Sequence, residues 1–257
     1  MTSDSDTQQQ WWRAKELSLK RKEVRTVRKA CANAGDAFLI VTEGTVTEPV
    51  YFELLRQSLQ LSTVTVKIMP GRASDPLHVI RTADDEVKKL AKRVKKKATS
   101  VNEPEKFDHV WAILDSDVPA RKGKWNDVVQ LAQGRKVKLA HSTPCFEFWL
   151  LLHLTGFTTR GDLYDGKTAK HAVKEALGED YSTNEKTARI AIPKFLPKWP
   201  EAVLKAEKVR EHHIKGGTKP PCNPSTEVDL LVLALNDASS PIQRKLPCRD
   251  SDVSGPL

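Results

Sequence analysis

The sequence predicts an α/β protein: a parallel sheet of about four strands flanked by helices, with a helical C-terminal portion. Three observations carry this. The apolar runs Ala37-Phe38-Leu39-Ile40-Val41 and Val110-Trp111-Ala112-Ile113-Leu114 have the length and residue types of strands buried on both faces. Helix-start signals follow strands in alternation, at Thr47-Glu48-Pro49, Asp75-Pro76 and Thr143-Pro144. Alternating strands and helices are the pattern of a parallel sheet, and no strand pattern stands out beyond Phe157.

Residues 1–35 read as a basic, partly disordered arm. Its cations include Arg13, Lys15, Lys20, Arg21, Lys22, Arg25, Arg28 and Lys29, and its apolar stripe is poor. Such an arm either tracks phosphates or is a solvated tail. Arg21, Lys22 and Arg25 are its candidate nucleic-acid contacts.

Residues 36–157 form the expected α/β core. The first strand, 37–41, ends in Thr42-Glu43-Gly44, and a helix starts at Thr47, which can cap it. Val64 to Met69 is the next strand, stopped by Pro70-Gly71. A helix opened by Asp75-Pro76 follows and ends in a dense cationic run from Lys88 to Lys97. Cations there suit the helix dipole, so the run reads as a solvated face or as a phosphate contact through Lys92 and Lys96. The strand at 110–114 delivers Asp115 and Asp117. A basic loop with Arg121 and Lys122 then leads to a helix near Trp125–Gln133.

Val137 to Ala140 is the last strand of the core. Behind it, Thr143 can cap and Pro144 suits the first turn of an apolar helix. Glu147 lies early in that helix. It is either a dipole-favoured solvent-facing residue or a buried carboxylate that needs a partner. His153 and Cys145 read as packed side chains.

Residues 158–240 read as a helical region packed on the core, with helices near 168–177, 185–195, 201–215 and 226–235. Residues 241–257 read as a disordered tail. His212, His213 and Cys222 match no zinc spacing.

Composition narrows the classes. Hydrophobic residues make up 39% and charged residues 29% of 257, the balance of a soluble chain. No apolar run is long enough for a bilayer span, and the first residues lack the layout of a secretory signal. Four scattered cysteines form no CxxC pair. A cytoplasmic protein is the expectation. The net charge of +9 and the pI near 9.3 suit an anionic partner such as nucleic acid. No GxxxxGK[ST] or GxGxxG occurs, so those nucleotide-binding modes are unsupported.

The chemistry gathers at one edge. Parallel strands put their carboxyl ends on the same side of a sheet, where ligands of open α/β folds bind. Glu43, Asp115 with Asp117, and Glu147 all follow strands there. Carboxylates this close repel one another unless a proton or a cation intervenes. Hard oxygen ligands suit Mg²⁺ or Mn²⁺, which can activate phosphoryl chemistry. An isolated Asp-x-Asp is equally a strand terminator or a helix cap, and its meaning depends on Glu43.

A Glu-Gly after the first strand and an Asp-x-Asp after a later one resemble the Toprim fold of nucleotidyl-transfer enzymes and nucleases. More closely, the chain resembles the RloB family, found with restriction-modification and phage-defence loci. The matching segments are FLIVTEGTVTEPVYFELLR (38–56), VWAILDSDVP (110–119), HSTPCFEFWLLLHL (141–154) and NPSTEVDLLVLAL (223–235). The resemblance implies a Toprim-like sheet, with Glu43, Asp115 and Asp117 as catalytic and metal-binding residues. Glu147 is a further candidate ligand, and Glu48 and Ser142 stand as candidates for the layer behind. Thr143 departs from the asparagine expected in the family's Ser-Asn-Pro-like turn.

Two functions follow as expectations. One is an Mg²⁺- or Mn²⁺-dependent nuclease of phage defence, cutting RNA (tRNA among the options) or DNA. The other is a non-catalytic nucleic-acid-binding or sensor/effector module working with a partner ATPase.

Overall fold

The computed structural model of the protein describes residues 35–61, 66–71, 75–100, 103–117, 123–156, 162–179, 181–182, 184–239 and 244–246. The basic arm with Arg21, Lys22 and Arg25, the loop cations Arg121 and Lys122, and most of the expected tail lie outside the described residues.

Strands and helices alternate through the first half. β1 (Phe38–Thr42) leads to α1 (Thr47–Ser58), and β2 (Val66–Pro70) to α2 (Pro76–Lys95). β3 (His109–Asp115) precedes α3 (Trp125–Arg135), and β4 (Lys138–Thr143) precedes α4 (Phe146–Leu154). The second half supplies α5 (Gly166–Leu177), α6 (Glu185–Phe195), α7 (Trp199–Lys215), the two-residue β5 (Ser225–Thr226) and α8 (Val228–Ala238). No helix among the described residues is long and apolar enough to cross a membrane.

The sheet order is β2-β1-β3-β4-β5, with the first four strands parallel and β5 antiparallel to β4. Alternation along the strands divides the core in two. Phe38, Ile40, Trp111 and Ile113 join a cluster with α1, α4 and the helices of the second half. Leu39, Val41, Ala112 and Leu114 join a separate cluster with α2 and α3. β1 is fully buried because it is covered on both faces, as its unbroken apolar run requires. The first cluster runs without a break from the α/β half into α5–α8.

Several local expectations are corrected. β4 does not stop at Ala140: it continues through His141, Ser142 and Thr143, so Thr143 is a strand residue rather than a helix cap. The polar side chains can stay in the sheet because they satisfy one another. Ser142 Oγ lies 2.8 Å from Thr226 Oγ1, and Ser116 Oγ lies 2.5 Å from Thr143 Oγ1. β5 is a strand the sequence did not announce. Its partner register, Ser142 with Thr226 and Thr143 with Ser225, occupies the stretch expected to open the last helix. Thr47 lies inside α1 instead of capping it, with Val46 at the cap position.

In the segment expected to be a disordered tail, residues 244–246 are placed. Asn236 Nδ2 donates to the Leu246 carbonyl at 2.9 Å, and Leu246 packs against the first cluster.

The helix α2 outruns the sheet. Lys67, near the start of β2, bonds Glu86 at 2.8 Å, and Arg135 at the end of α3 meets Asp84 at 3.0 Å. Both contacts lie at the amino edge of the sheet, and α2 continues from Glu86 to Lys95 beyond that level.

Candidate functional site

Glu43 emerges from β1 directly beside the end of β3. Its N–H donates to the Ile113 carbonyl at 2.9 Å, which extends the ladder by one residue. Its carboxylate Oε2 then accepts the Asp115 N–H at 3.1 Å. Asp115, the last residue of β3, uses Oδ1 to accept the Phe146 N–H at 3.0 Å. An acid from the sheet thus occupies the start of α4, in the role expected of Thr143, where the free N–H groups of a helix favour an anion.

Glu48 joins them by turning back within its own segment. Its Oε1 accepts the Gly44 N–H at 3.1 Å. A Cβ at position 44 would stand 2.0 Å from Glu48 Oε2, so only glycine lets the carboxylate lie this close to the backbone. Glu147, in the first turn of α4, is 5% exposed, which rules out the solvent-facing reading. The Tyr181 hydroxyl donates to its Oε1 at 3.3 Å.

Electrostatics mark the cluster as short of positive charge. Burial raises the Glu43 pKa to about 7, and Glu48 and Asp117 add to the rise. Burial likewise lifts Glu48 to about 7, with Glu147 reinforcing it and Lys170 of α5 opposing. Asp115 is pushed well above the ordinary carboxylate range, first by desolvation and then by Glu48, Glu43 and Glu147. Asp117 is half-buried, two residues further along. Glu43, Glu48, Asp115 and Glu147 therefore converge from four segments, and Asp117 acts on Glu43 from beside them.

Donor chemistry fits a hard divalent cation. Glu43, Asp115 and Glu48 each engage the backbone through one oxygen. The second oxygens of Glu43 and Asp115 take no protein hydrogen bond among the described residues. With the side chains in these positions, no three His, Cys, Asp or Glu among the described residues stand at metal-ligand spacing.

The RloB-like protein model matches residues 38–235. The chain belongs to the RloB-like protein family. The matched span of this RloB-like chain includes every acid of the cluster together with Tyr181 and β5. No curated protein and no solved structure matches it.

Other candidates fall elsewhere. Ser142 pairs with Asp115 in register, and its carbonyl accepts the Ser116 N–H at 2.9 Å. It supports the strand end behind the acids. Lys92 and Lys96 are exposed at the far end of α2, past the opposite edge of the sheet.

His153 is buried between the Tyr51 hydroxyl at 3.1 Å and the Trp149 carbonyl at 2.9 Å. Burial lowers its pKa to about 3, so it is a neutral packing residue. Burial and then the charges of Glu147 and Asp115 push the Cys145 thiol upward, which disfavours a nucleophilic thiolate. His213 Nε2 lies 2.8 Å from the Pro224 carbonyl oxygen.

Tyr181 and the hydroxyls of Ser116, Thr143 and Thr226 escaped the sequence reading. Ser116, Thr143 and Thr226 all lay in the quoted motifs, Thr143 as an expected helix cap and Thr226 as the expected start of the last helix.

Proposed function

We propose that the acidic edge is a divalent-metal site for cutting phosphodiester bonds, with Glu43, Asp115 and Asp117 holding Mg²⁺ or Mn²⁺ and Glu147 within reach. The Glu43–Asp115 hydrogen bond carries the reading, because it joins acids from two adjacent strands at the ligand-binding edge of a parallel sheet. A cation bound there would polarise a phosphoryl oxygen and lower the pKa of attacking water. If Asp115 and Asp117 alone hold the cation, Glu43 beside them would instead be the group that accepts a proton from water or returns one to the leaving oxygen. Glu48 and Tyr181 would position the acids from behind. The substrate class, RNA or DNA, and the role in phage defence rest on the family resemblance.

The test is a cleavage panel of tRNA, single-stranded RNA, and single- and double-stranded DNA with Mg²⁺ or Mn²⁺. Glu43→Gln is expected to reduce cleavage by about 10²-fold or more. Asp115→Asn is expected to reduce it at least as far. Undiminished cutting by both folded variants would refute the assignment.

One observation favours a second reading. Glu43, Asp115 and Glu48 each already bind a backbone N–H, which is what carboxylates with a purely structural role would do. In that case the chain is a nucleic-acid-binding or sensor module acting with a partner ATPase. Salt-sensitive binding with no turnover under either metal would select it.

A further inference from the structure

The cations on α2 have no place in the acidic edge, yet they are concentrated. Lys88, Lys92, Lys95 and Lys96 recur at the spacing that puts residues on one helix face, and all four are exposed, as is Lys97. Lys88 is held by Asp84, Lys89 by Glu86, and Arg93 by Glu103. Lys92, Lys95, Lys96 and Lys97 have no carboxylate within ion-pair distance among the described residues. They lie on the end of α2 that runs past the sheet and in the turn that follows it.

The chain enters β1 at the same edge, through Gly35 and Asp36. Lys136, exposed where α3 ends, adds to this side.

Geometry separates this face from the acids. Four residues of β1 from Leu39 to Glu43 span about 13 Å, and ten residues of α2 from Glu86 to Lys96 span about 15 Å. The two contacts that level Glu86 and Asp84 with the amino edge make these lengths add, to about 30 Å.

The face is also free of apolar bait. Tyr164, Ile190, Leu204 and Ile214, the large hydrophobics that stand exposed among the described residues, all belong to the second half of the chain. Protein interfaces centre on buried aromatic and aliphatic anchors, whereas a phosphate backbone is held by evenly spread cations alone.

We infer that Lys92, Lys95, Lys96 and Lys97 form a sequence-independent anchor for a polynucleotide backbone, about 30 Å from the acidic edge and separate from it. Resting on the proposed cleavage function, it selects substrate by length. With about 3.4 Å per nucleotide along a duplex strand, one molecule must exceed roughly nine base pairs to touch both.

The test is binding, read by fluorescence anisotropy with EDTA present so that turnover plays no part. Labelled DNA and RNA duplexes of about 6 and about 20 base pairs are the probes. Lys92→Gln, Lys95→Gln, Lys96→Gln and Lys97→Gln together are expected to weaken binding of the long duplexes at least tenfold. The salt slope should fall by roughly 3.6, from about 0.9 per lost contact on duplex DNA. Neutralising four exposed lysines elsewhere, Lys186, Lys198, Lys208 and Lys215, gives the same change in net charge and is expected to have a several-fold smaller effect. Circular dichroism checks that α2 stays helical.

Equal losses in the two quadruple variants would overturn the anchor in favour of net charge. Unchanged binding in the α2 variant would also overturn it and point to an acidic protein as the occupant of this face. With Mg²⁺ or Mn²⁺ restored, cleavage per bound molecule should favour the long duplexes; equal cutting of both lengths would remove the length rule. A chain that binds in this pattern but never cuts would defeat the proposed nuclease and leave the anchor in place.

Discussion

Two buried aspartates in this protein are treated in opposite ways. Asp229, at the start of α8, is 1% exposed and faces Arg210 of α7 through paired contacts of 2.5 and 2.6 Å. Arg210 also donates to the Thr226 carbonyl at 2.5 Å, so one guanidinium ties α7, β5 and α8 together. Asp115 also loses water, but its neighbours are Glu48, Glu43 and Glu147. Burial raises both pKa values, and at Asp229 the arginine opposes the rise. Burial alone therefore does not single out a candidate site; a buried acid lacking its counter-charge does.

The contrast breaks most visibly at its paired end. Arg210→Ala would leave Asp229 buried and alone, a loss of about 3–5 kcal/mol. The melting temperature should fall by about 10 °C, since 1 kcal/mol moves a chain of this size by about 2–4 °C. A fall of only a degree or two would show that the pair is dispensable.

The unpaired end should respond to pH with a defined sign. Glu43 and Glu48 hold protons in the folded state up to about pH 7, against 4.5 for the ordinary group. The folded state therefore binds more protons than the unfolded state between those values. Their contribution to stability is complete below about 4.5 and is lost as pH rises through about 7. Thermal midpoints should drop by several degrees from pH 5 to pH 8. Glu43→Gln with Glu48→Gln should flatten that slope, and a steeper slope in the double variant would reverse the argument. Millimolar Mg²⁺ or Mn²⁺ should offset the loss at pH 8.

The smallest effect sharpens the comparison furthest. Asp115→Asn keeps an oxygen for the Phe146 N–H while removing one charge from the crowd. Stability should rise, on the order of 1 kcal/mol, as relief of strain at a functional site commonly does. Urea denaturation at pH 8 measures it. The same change at Asp229 should destabilise instead.

Much of this was legible before the fold was known. Buried strands, alternating helices and the edge on which Glu43 and Asp115 meet all follow from apolar runs and strand order. What escaped depended on distant partners. Thr143-Pro144 and Ser225-Thr226 carry local signals for helix starts, yet Thr143 and Ser225-Thr226 are in strands because each completes the other across more than eighty residues. Ser142, Thr143 and Thr226 hydroxyls make sense in a sheet only once Ser116 and one another are in place. Glu147 was ambiguous for the same reason: its partner Tyr181 sits beyond the α/β segment. Helical spacing predicted the lysines of α2 as a face, but only the ion pairs of Lys67 with Glu86 and Arg135 with Asp84 put that face past the wrong edge for the acids.

The two residues of β5 also set a clock. β4 is complete at Thr143, but the strand that covers its outer edge is made more than eighty residues later. At about 5–20 residues per second, a ribosome takes roughly 4–16 s to reach it. For that interval the end of β4 presents unpaired backbone, the kind of edge that recruits other strands. Its short length, with Ser142 and Thr143 rather than apolar side chains at the tip, limits that hazard. The serine and threonine at the end of β4 thus protect the nascent chain before they support the acids of the finished one.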